Sequence, residues 1–128
     1  MLGGTRKVAL AAYASLAVGL MAGTGEEMLF RGVLQTDLTD RIGVEASLLL
    51  SSFIFALLHA VTPLYAMIAG AVSLYFGILY NYYDNLTVPI VCHTVYDFFA
   101  IFGAHLTVTR MSEDEQVNVL KWKGPGES

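Results

Sequence analysis

Long apolar stretches separated by short polar breaks dominate this chain of 128 residues. Residues 46–83 carry no fixed charge, a length that allows two membrane crossings of about 20 residues each. The Thr62-Pro63 pair interrupts this stretch near its middle, because proline strains a helix that continues from the preceding turn. The pattern predicts four apolar helices, at residues 8–23 (with an extension past Gly23 left open), 46–61, 63–80 and 86–108. The predicted fold class is therefore all-α, a polytopic integral membrane helical bundle with its site between the helices.

Composition and charge narrow the class further. Only 14% of the residues are charged, against about 25% in soluble domains. The formal net charge of −4, with no basic run, argues against nucleic acid as a partner. The single cysteine, Cys92, excludes an intramolecular disulfide and a cysteine-based zinc site. Membrane lipid is the expected environment.

Two of the predicted helices carry a small residue at every fourth position. In lipid, that spacing lets helix backbones approach closely. The alternative is that alanine and glycine are simply common in membrane helices. The two stripes are Ala11, Ser15, Gly19 and Gly23 on the first helix, and Ala69, Ser73 and Gly77 on the third.

The chain divides by pattern into an N-terminal membrane helix (1–24), a core (25–108) and a polar tail (109–128), where Ser112 and Glu115 form a capping box. Four crossings put both termini on one side, and the cations there predict the cytoplasmic or equivalent side. Those cations are Arg6, Lys7, Arg110, Lys121 and Lys123. The first 24 residues also resemble a secretory signal peptide, so their retention stays open.

Ionisable residues inside apolar segments are costly and are therefore functional candidates. In the first group, Glu27 and Arg31 are four apart on a helix, so they share a face and can pair. Glu26 points about 100° away from Glu27. One acid is thus neutralised while the other stays free to react; the alternative is a solvated helix end.

Two further groups follow along the chain. His59 ends an otherwise apolar helix, and a lone histidine there is more often hydrogen-bonded in place than catalytic. His93 and Asp97 are four apart and share a face, so the acid can orient the ring or both can bind a metal or substrate. The alternative for this pair is a structural clamp between helices.

Together the three groups suit the activation of water in a poorly solvated interior. A carboxylate would serve as general base. The imidazoles would either donate to a developing oxyanion or share a divalent metal.

The order and spacing of these groups resemble a known family. Glu26-Glu27 with Arg31, then Phe55 with His59, then His93 with Asp97, is similar to the three-motif signature of the CAAX prenyl protease and bacteriocin-processing (Abi) family. Its members are multi-spanning intramembrane endopeptidases. The resemblance extends over residues 25–100. It implies cleavage of a peptide bond in a membrane-associated protein or peptide, prenylated or bearing a leader.

The resemblance also implies roles for the candidates. Glu26 corresponds to the catalytic base, which works with His59 on the attacking water. His93 and the residue at position 97 would face the oxyanion, and Glu27 with Arg31 would hold the geometry of the site. Both a metal-dependent and a metal-free mechanism have been assigned to this family. If a divalent metal such as Zn²⁺ is bound, Glu26, His59 and His93 are the expected ligands.

Two features depart from the family pattern. Position 97 is Asp where the prenyl-protease branch typically has Asn, and an ionised Asp97 would repel an oxyanion. It must therefore be protonated, orient His93 or bind metal. Family members usually carry further upstream helices, so the chain is expected to be a fragment, a minimal member or dependent on a partner. The candidate partners are a second copy of the chain, in a homo-oligomer, and a partner membrane subunit. The alternatives to a protease are a non-catalytic scaffold or immunity-type relative and a small transporter.

The depths of the two histidines pose a geometric problem. His59 lies roughly 20 Å from one end of its helix, and His93 only about 10 Å from the corresponding end of its own. The site therefore closes only if the helices are tilted, offset or re-entrant.

Overall fold

The computed structural model describes residues 2–121, and every element in that range is helical. The described chain forms α1 (Leu2–Glu27), a π-helical segment (Met28–Gln35), α2 (Thr36–Ile42), α3 (Val44–Leu58), α4 (Pro63–Tyr83), α5 (Thr87–Val108) and α6 (Glu113–Lys121). The all-α prediction is confirmed. Residues 122–128 of the predicted tail lie outside the described residues, and the division into three parts stays a prediction.

The helix boundaries differ from the predicted ones, most at the first helix, which begins at Leu2 instead of residue 8. The first helix does extend past Gly23, and helical structure continues to Ile42, where Gly43 turns the chain with a φ of +85°. The second predicted helix corresponds to α3 and ends at Leu58 instead of residue 61. Thr62 then caps α4 by accepting from the backbone N of Tyr65, with Pro63 in the first turn. At its other end α4 runs three residues further than predicted.

Three helical stretches are long and apolar enough to cross a membrane. They are Lys7–Ile42, Pro63–Tyr83 and Thr87–Val108. The fourth apolar helix, α3, has only 15 residues. These stretches support the integral membrane prediction, while the side that the termini face stays a prediction.

Close backbone contacts join α1 to α5, as the small-residue stripe predicts. A Cβ added to Gly19 would lie 2.9 Å from the backbone O of Thr94, and one added to Gly23 would lie 3.0 Å from the backbone N of Thr94. The two helices are antiparallel, since Gly19 also faces Asp97 while Gly23 faces Ile90. A side chain at either glycine would push α5 away from α1.

Helix α4, the third of the predicted helices, makes similar close contacts with two neighbouring elements. A Cβ added to Gly70 would lie 3.1 Å from the Cβ of Ala56 on α3, and one added to Gly77 would lie 2.7 Å from Oε1 of Gln35. Ser73, between them, is fully buried. Gly77 of the second small-residue stripe, whose added Cβ would also meet Leu48 of α3, and Gly70 beside the stripe therefore pack α4 against α3 and the π-helical segment.

An offset of α5 solves the depth problem of the two histidines. From the turn at Gly43, His59 lies about 22 Å along α3. Gly32 lies about 15 Å from the same turn along α2 and the π-helical segment, and it packs beside Leu86, at the start of α5. His93 follows Leu86 by seven residues, about 10 Å further. Both histidines thus reach a similar depth.

Candidate active site

A buried ion pair forms the floor of the site. Glu27 and Arg31 are 0% and 1% exposed. Arg31 Nη1 donates to Glu27 Oε1 at 3.2 Å, and Arg31 Nε lies 3.1 Å from Glu27 Oε2 as a charge contact without hydrogen-bond geometry. Arg31 Nη2 donates to Ser73 Oγ at 2.9 Å and to the Ser73 carbonyl oxygen. These partners make a buried guanidinium tolerable, because an unpaired charge there would be strongly destabilising.

The π-helical segment places this pair on the face that meets α4. Glu27 ends α1, while Arg31 and Gln35 lie within the wider turns of the segment, and all three are buried. Thr36 Oγ1 donates to the carbonyl oxygen of Arg31 at 2.8 Å. Gln35 Nε2 donates to Gly77 O on α4 at 3.2 Å. Segments of π-helix are frequent at functional sites, where they re-aim side chains.

His93 joins the ion pair from α5. Its Nδ1 lies 2.7 Å from Glu27 Oε1, and because Arg31 holds that carboxylate as an acceptor, Nδ1 is the donor. Nε2 therefore faces the other way, 3.8 Å from Glu26 Oε2 and 3.6 Å from Asp97 Oδ2. The ring stacks on Phe76 with centroids 5.0 Å apart. The hydrogen bond to Glu27 and the stacking on Phe76 together fix the orientation of the His93 ring.

His59 is oriented by its own helix end. Its Nδ1 lies 2.9 Å from the carbonyl oxygen of Phe55, which can only accept, so Nδ1 donates. The ring stacks on Phe55 with centroids 4.1 Å apart. Its Nε2 faces Glu26 Oε2 at 3.7 Å.

Glu26 Oε2 is the point on which both Nε2 atoms converge. This oxygen is buried and has no hydrogen-bond partner among the residues that the structure describes. The two nitrogens lie beyond hydrogen-bond distance, 3.7 and 3.8 Å away, so neither bonds to this oxygen directly. Glu26 is thus the acid left free when Glu27 is neutralised, as the helical spacing predicts.

A cavity of about 480 Å³ opens over this cluster. Glu26, His59, His93 and Asp97 line it, whereas Glu27 and Arg31 lie behind its wall. All six predicted residues therefore meet in space: four face the cavity and two support them. Their chemical roles stay predictions.

Sequence reasoning missed Ser73 as a partner of the ion pair. Its position in the small-residue stripe suggested packing alone, although its hydroxyl was the signal for a polar contact. The supporting roles of the Phe55 carbonyl oxygen and the Phe76 ring left no sequence signal, because they depend on which helices become neighbours.

The predicted metal ligands are near one another without forming a coordination shell. Within residues 2–121, no group of three or more His, Cys, Asp or Glu side chains is arranged to hold a metal ion. Imidazole nitrogen and carboxylate oxygen are nevertheless suitable zinc donors. The metal role of Glu26, His59 and His93 therefore stays a prediction, and the steps proposed below use the side chains alone.

The chain matches the sequence model of one protein family and is similar to a protein of known sequence. The sequence model of the family described as type II CAAX prenyl endopeptidase Rce1-like matches residues 8–99. "Uncharacterized protein YpbD" of Bacillus subtilis (strain 168) is 35% identical over 113 residues, which cover 83% of this chain and 54% of that protein. The chain thus spans about half the length of this relative. No solved structure matches it significantly.

Proposed function

Since this chain belongs to the Rce1-like family of type II CAAX prenyl endopeptidases, we propose that it is an intramembrane endopeptidase in which Glu26 and His59 activate the attacking water. The proposed substrate is a membrane-associated protein or peptide, prenylated or carrying a leader. The observation that carries this proposal is the unpartnered Oε2 of Glu26, faced by His59 Nε2 at the cavity wall.

The proposed water has one orientation that satisfies both neighbours. His59 Nδ1 donates to Phe55, so Nε2 of the neutral ring presents a lone pair to the cavity. Glu26 as a carboxylate is also an acceptor. A water between them gives one hydrogen to each and turns its own lone pair away, toward the cavity. That is the direction from which a substrate carbonyl carbon would approach.

The reaction then needs two proton transfers through Glu26. The water oxygen bonds to the carbonyl carbon while Glu26 takes its proton, which leaves a tetrahedral intermediate with an oxyanion. The carbon–nitrogen bond breaks as Glu26 returns this proton to the leaving amine. The products are a carboxyl group and a free amino terminus, so one water is consumed for each peptide bond.

His93 and Asp97 act on the oxyanion side of the proposed mechanism. Because His93 Nδ1 donates to Glu27, its Nε2 donates into the cavity only when the ring carries both protons. Oxygens of Glu27 and Asp97 lie 2.7 and 3.6 Å from its two ring nitrogens. These distances support an orienting role for Asp97 in place of the typical amide.

Glu27 and Arg31 are positioning residues in this proposal. They do not reach the cavity, and their bonds to Ser73 and His93 tie three parts of the fold together. Since a misplacement of about 1 Å can cost 10²-fold in rate, their rigidity matters although they touch no substrate.

The test is a census of protein N-termini in membranes that contain the wild type, Glu26→Gln or Glu45→Gln at matched expression. Glu45 is an exposed acid in the first turn of α3 and provides the control. Termini present with the wild type and Glu45→Gln but absent with Glu26→Gln are the expected result, and their sequences identify the substrate. An identical set in all three membranes, with all three proteins inserted, would refute proteolysis and favour the scaffold alternative.

A further inference from the structure

Two tyrosines on the wall of the cavity take no part in the chemistry proposed above. Tyr65 lies in the first turn of α4 and Tyr96 in the middle of α5, and both line the cavity beside the acids and histidines. They are 45% and 42% exposed, so neither ring serves to fill the core. Among the described residues the backbone N of Tyr65 donates to Thr62 Oγ1, while neither tyrosine hydroxyl has a hydrogen-bond partner.

The other polar side chains of this wall only accept hydrogen bonds when the site is ready to react. Glu26 is a carboxylate when it acts as the base, and Asp97 accepts as a carboxylate. His59 and His93 each donate from Nδ1, so their Nε2 atoms present lone pairs to the cavity while the rings are neutral. The developing oxyanion therefore faces four acceptors, although it is stabilised by donors.

The two phenol hydroxyls are the neutral donors on this wall. A phenol keeps its proton at neutral pH and can donate a hydrogen bond to an anion without giving the proton up. It also brings no charge of its own, whereas a doubly protonated histidine is costly where little water reaches it. A tyrosine is therefore well suited to stabilise an oxyanion in this cavity.

Tyr65 is the better placed of the two tyrosines. Its ring centroid lies 6.4 Å from that of His59, whose Nε2 faces the proposed attacking water. The start of α4 is fixed by Pro63 and by Thr62, whose Oγ1 accepts from the backbone N of Tyr65 at 3.1 Å. Tyr96 also lines a second groove of about 380 Å³ between α4 and α5, so its side chain does not belong to the catalytic cavity alone.

We propose that the Tyr65 hydroxyl donates a hydrogen bond to the oxyanion of the tetrahedral intermediate. The proton stays on the phenol throughout, so the two proton transfers through Glu26 remain the full balance of the reaction. Hydrogen bonds to a charged oxygen are about twice as strong as those to a neutral one, so this bond strengthens as the oxyanion forms. Tyr65 therefore affects kcat more than KM. This inference rests on the proposed function, because it assumes that a peptide bond is hydrolysed at Glu26.

The experiment uses the full chain in lipid nanodiscs. A trypsin-digested cell lysate serves as a peptide library, cut sites are read by mass spectrometry, and the most rapidly cut peptide is synthesised for measurement of kcat and KM. Tyr65→Phe removes the hydroxyl and keeps the ring beside His59. Tyr75→Phe is the matched control, because Tyr75 is an exposed tyrosine of the same helix and lines no wall of this cavity. Tyr96→Phe tests the second hydroxyl.

Tyr65→Phe should lower kcat about 10²–10³-fold, the loss for one oxyanion donor, with KM nearly unchanged. A phosphinic analogue of the same peptide, whose tetrahedral anion mimics the intermediate, should bind Tyr65→Phe more weakly by a similar factor. Tyr75→Phe should match the wild type in both measurements. A tyrosine that only orients His59 through its ring would leave Tyr65→Phe with the wild-type kcat.

Two different failures are distinguishable. A wild-type kcat in Tyr65→Phe, a loss confined to KM, or a loss in Tyr96→Phe at least as large as that in Tyr65→Phe overturns the role of Tyr65 alone. No cleavage by the wild type above the Glu26→Gln background overturns the proposed function, and the role of Tyr65 with it.

Discussion

Replacement of Gly23 by alanine tests whether close contact between α1 and α5 holds the catalytic cluster together. The added Cβ would lie 2.7 Å from Thr94 Oγ1, 3.0 Å from Thr94 N and 3.1 Å from Ile90 O. Two of these three atoms are backbone, so rotation of a side chain cannot relieve the contact. The helices must separate by several tenths of an ångström, and overpacking of this kind costs about 1–3 kcal/mol.

Gly25→Ala is the matched control on the same helix. A Cβ at Gly25 meets nothing within 4 Å. Both variants gain about 1 kcal/mol of helix propensity, which cancels in the comparison. The difference between their unfolding free energies should therefore be about 1–3 kcal/mol, or roughly 5-fold to 150-fold in the folded-to-unfolded ratio. Gly25→Ala should be more stable than the wild type by up to about 1 kcal/mol.

Activity should fall with stability, because Thr94 directly follows His93. Movement of α5 away from α1 would lengthen the 2.7 Å bond between His93 Nδ1 and Glu27 Oε1. The assays are reversible unfolding in mixed detergent micelles, followed by helicity, and the N-terminal census at matched levels of folded protein. Equal stability and equal cleavage for Gly23→Ala and Gly25→Ala would refute the proposed role of this contact.

Three further results are expected. Arg31→Gln should remove folded protein from the membrane fraction on a quantitative blot, since an uncompensated buried Glu27 costs about 3–5 kcal/mol; wild-type accumulation would contradict the pairing. Chelators should leave cleavage unchanged if the side chains alone activate the water, whereas stoichiometric zinc whose removal abolishes cleavage would refute that mechanism. Hydrogen bonds from Ser112 lower the pKa of Glu115, so the capping box stabilises α6 at neutral pH and loses its effect as the pH falls through that lowered value. In Ser112→Ala the backbone N–H of residue 112 still donates to Glu115 but the hydroxyl bond is lost, so the midpoint that the amide NMR shifts of α6 report should lie at a higher pH than in the wild type; identical midpoints would contradict it.

The membrane architecture follows almost entirely from local patterns. Uncharged stretches of helical length, interrupted by Thr62-Pro63 and Gly43, lead to apolar helices whatever their neighbours are. The capping box of Ser112 and Glu115 is equally local, and the structure contains it. The pairing of Glu27 with Arg31 was predictable for the same reason, because residues four apart on a helix share a face.

Helix ends were less predictable where the cause lies outside the segment. Helix α4 extends to Tyr83 because the backbone leaves the helical conformation only at Asp84, which has a left-handed φ of 47°. Hydropathy does not distinguish these last tyrosines from an interfacial turn. The run of helix through Met28–Gln35 was left open for a similar reason, since a π-helical segment has no strong composition signal.

What the sequence alone determined is an all-α membrane chain with six ionisable residues on apolar helices, together with the choice of Glu26 over Glu27 as the free acid. Tertiary structure decided that these residues meet. The offset of α5 beside Gly32 brings His93 to the depth of His59, and Ser73 on α4 accepts a hydrogen bond from Arg31. Those contacts join helices far apart in the chain, and helical periodicity carries no information about the relative depth or neighbours of two helices.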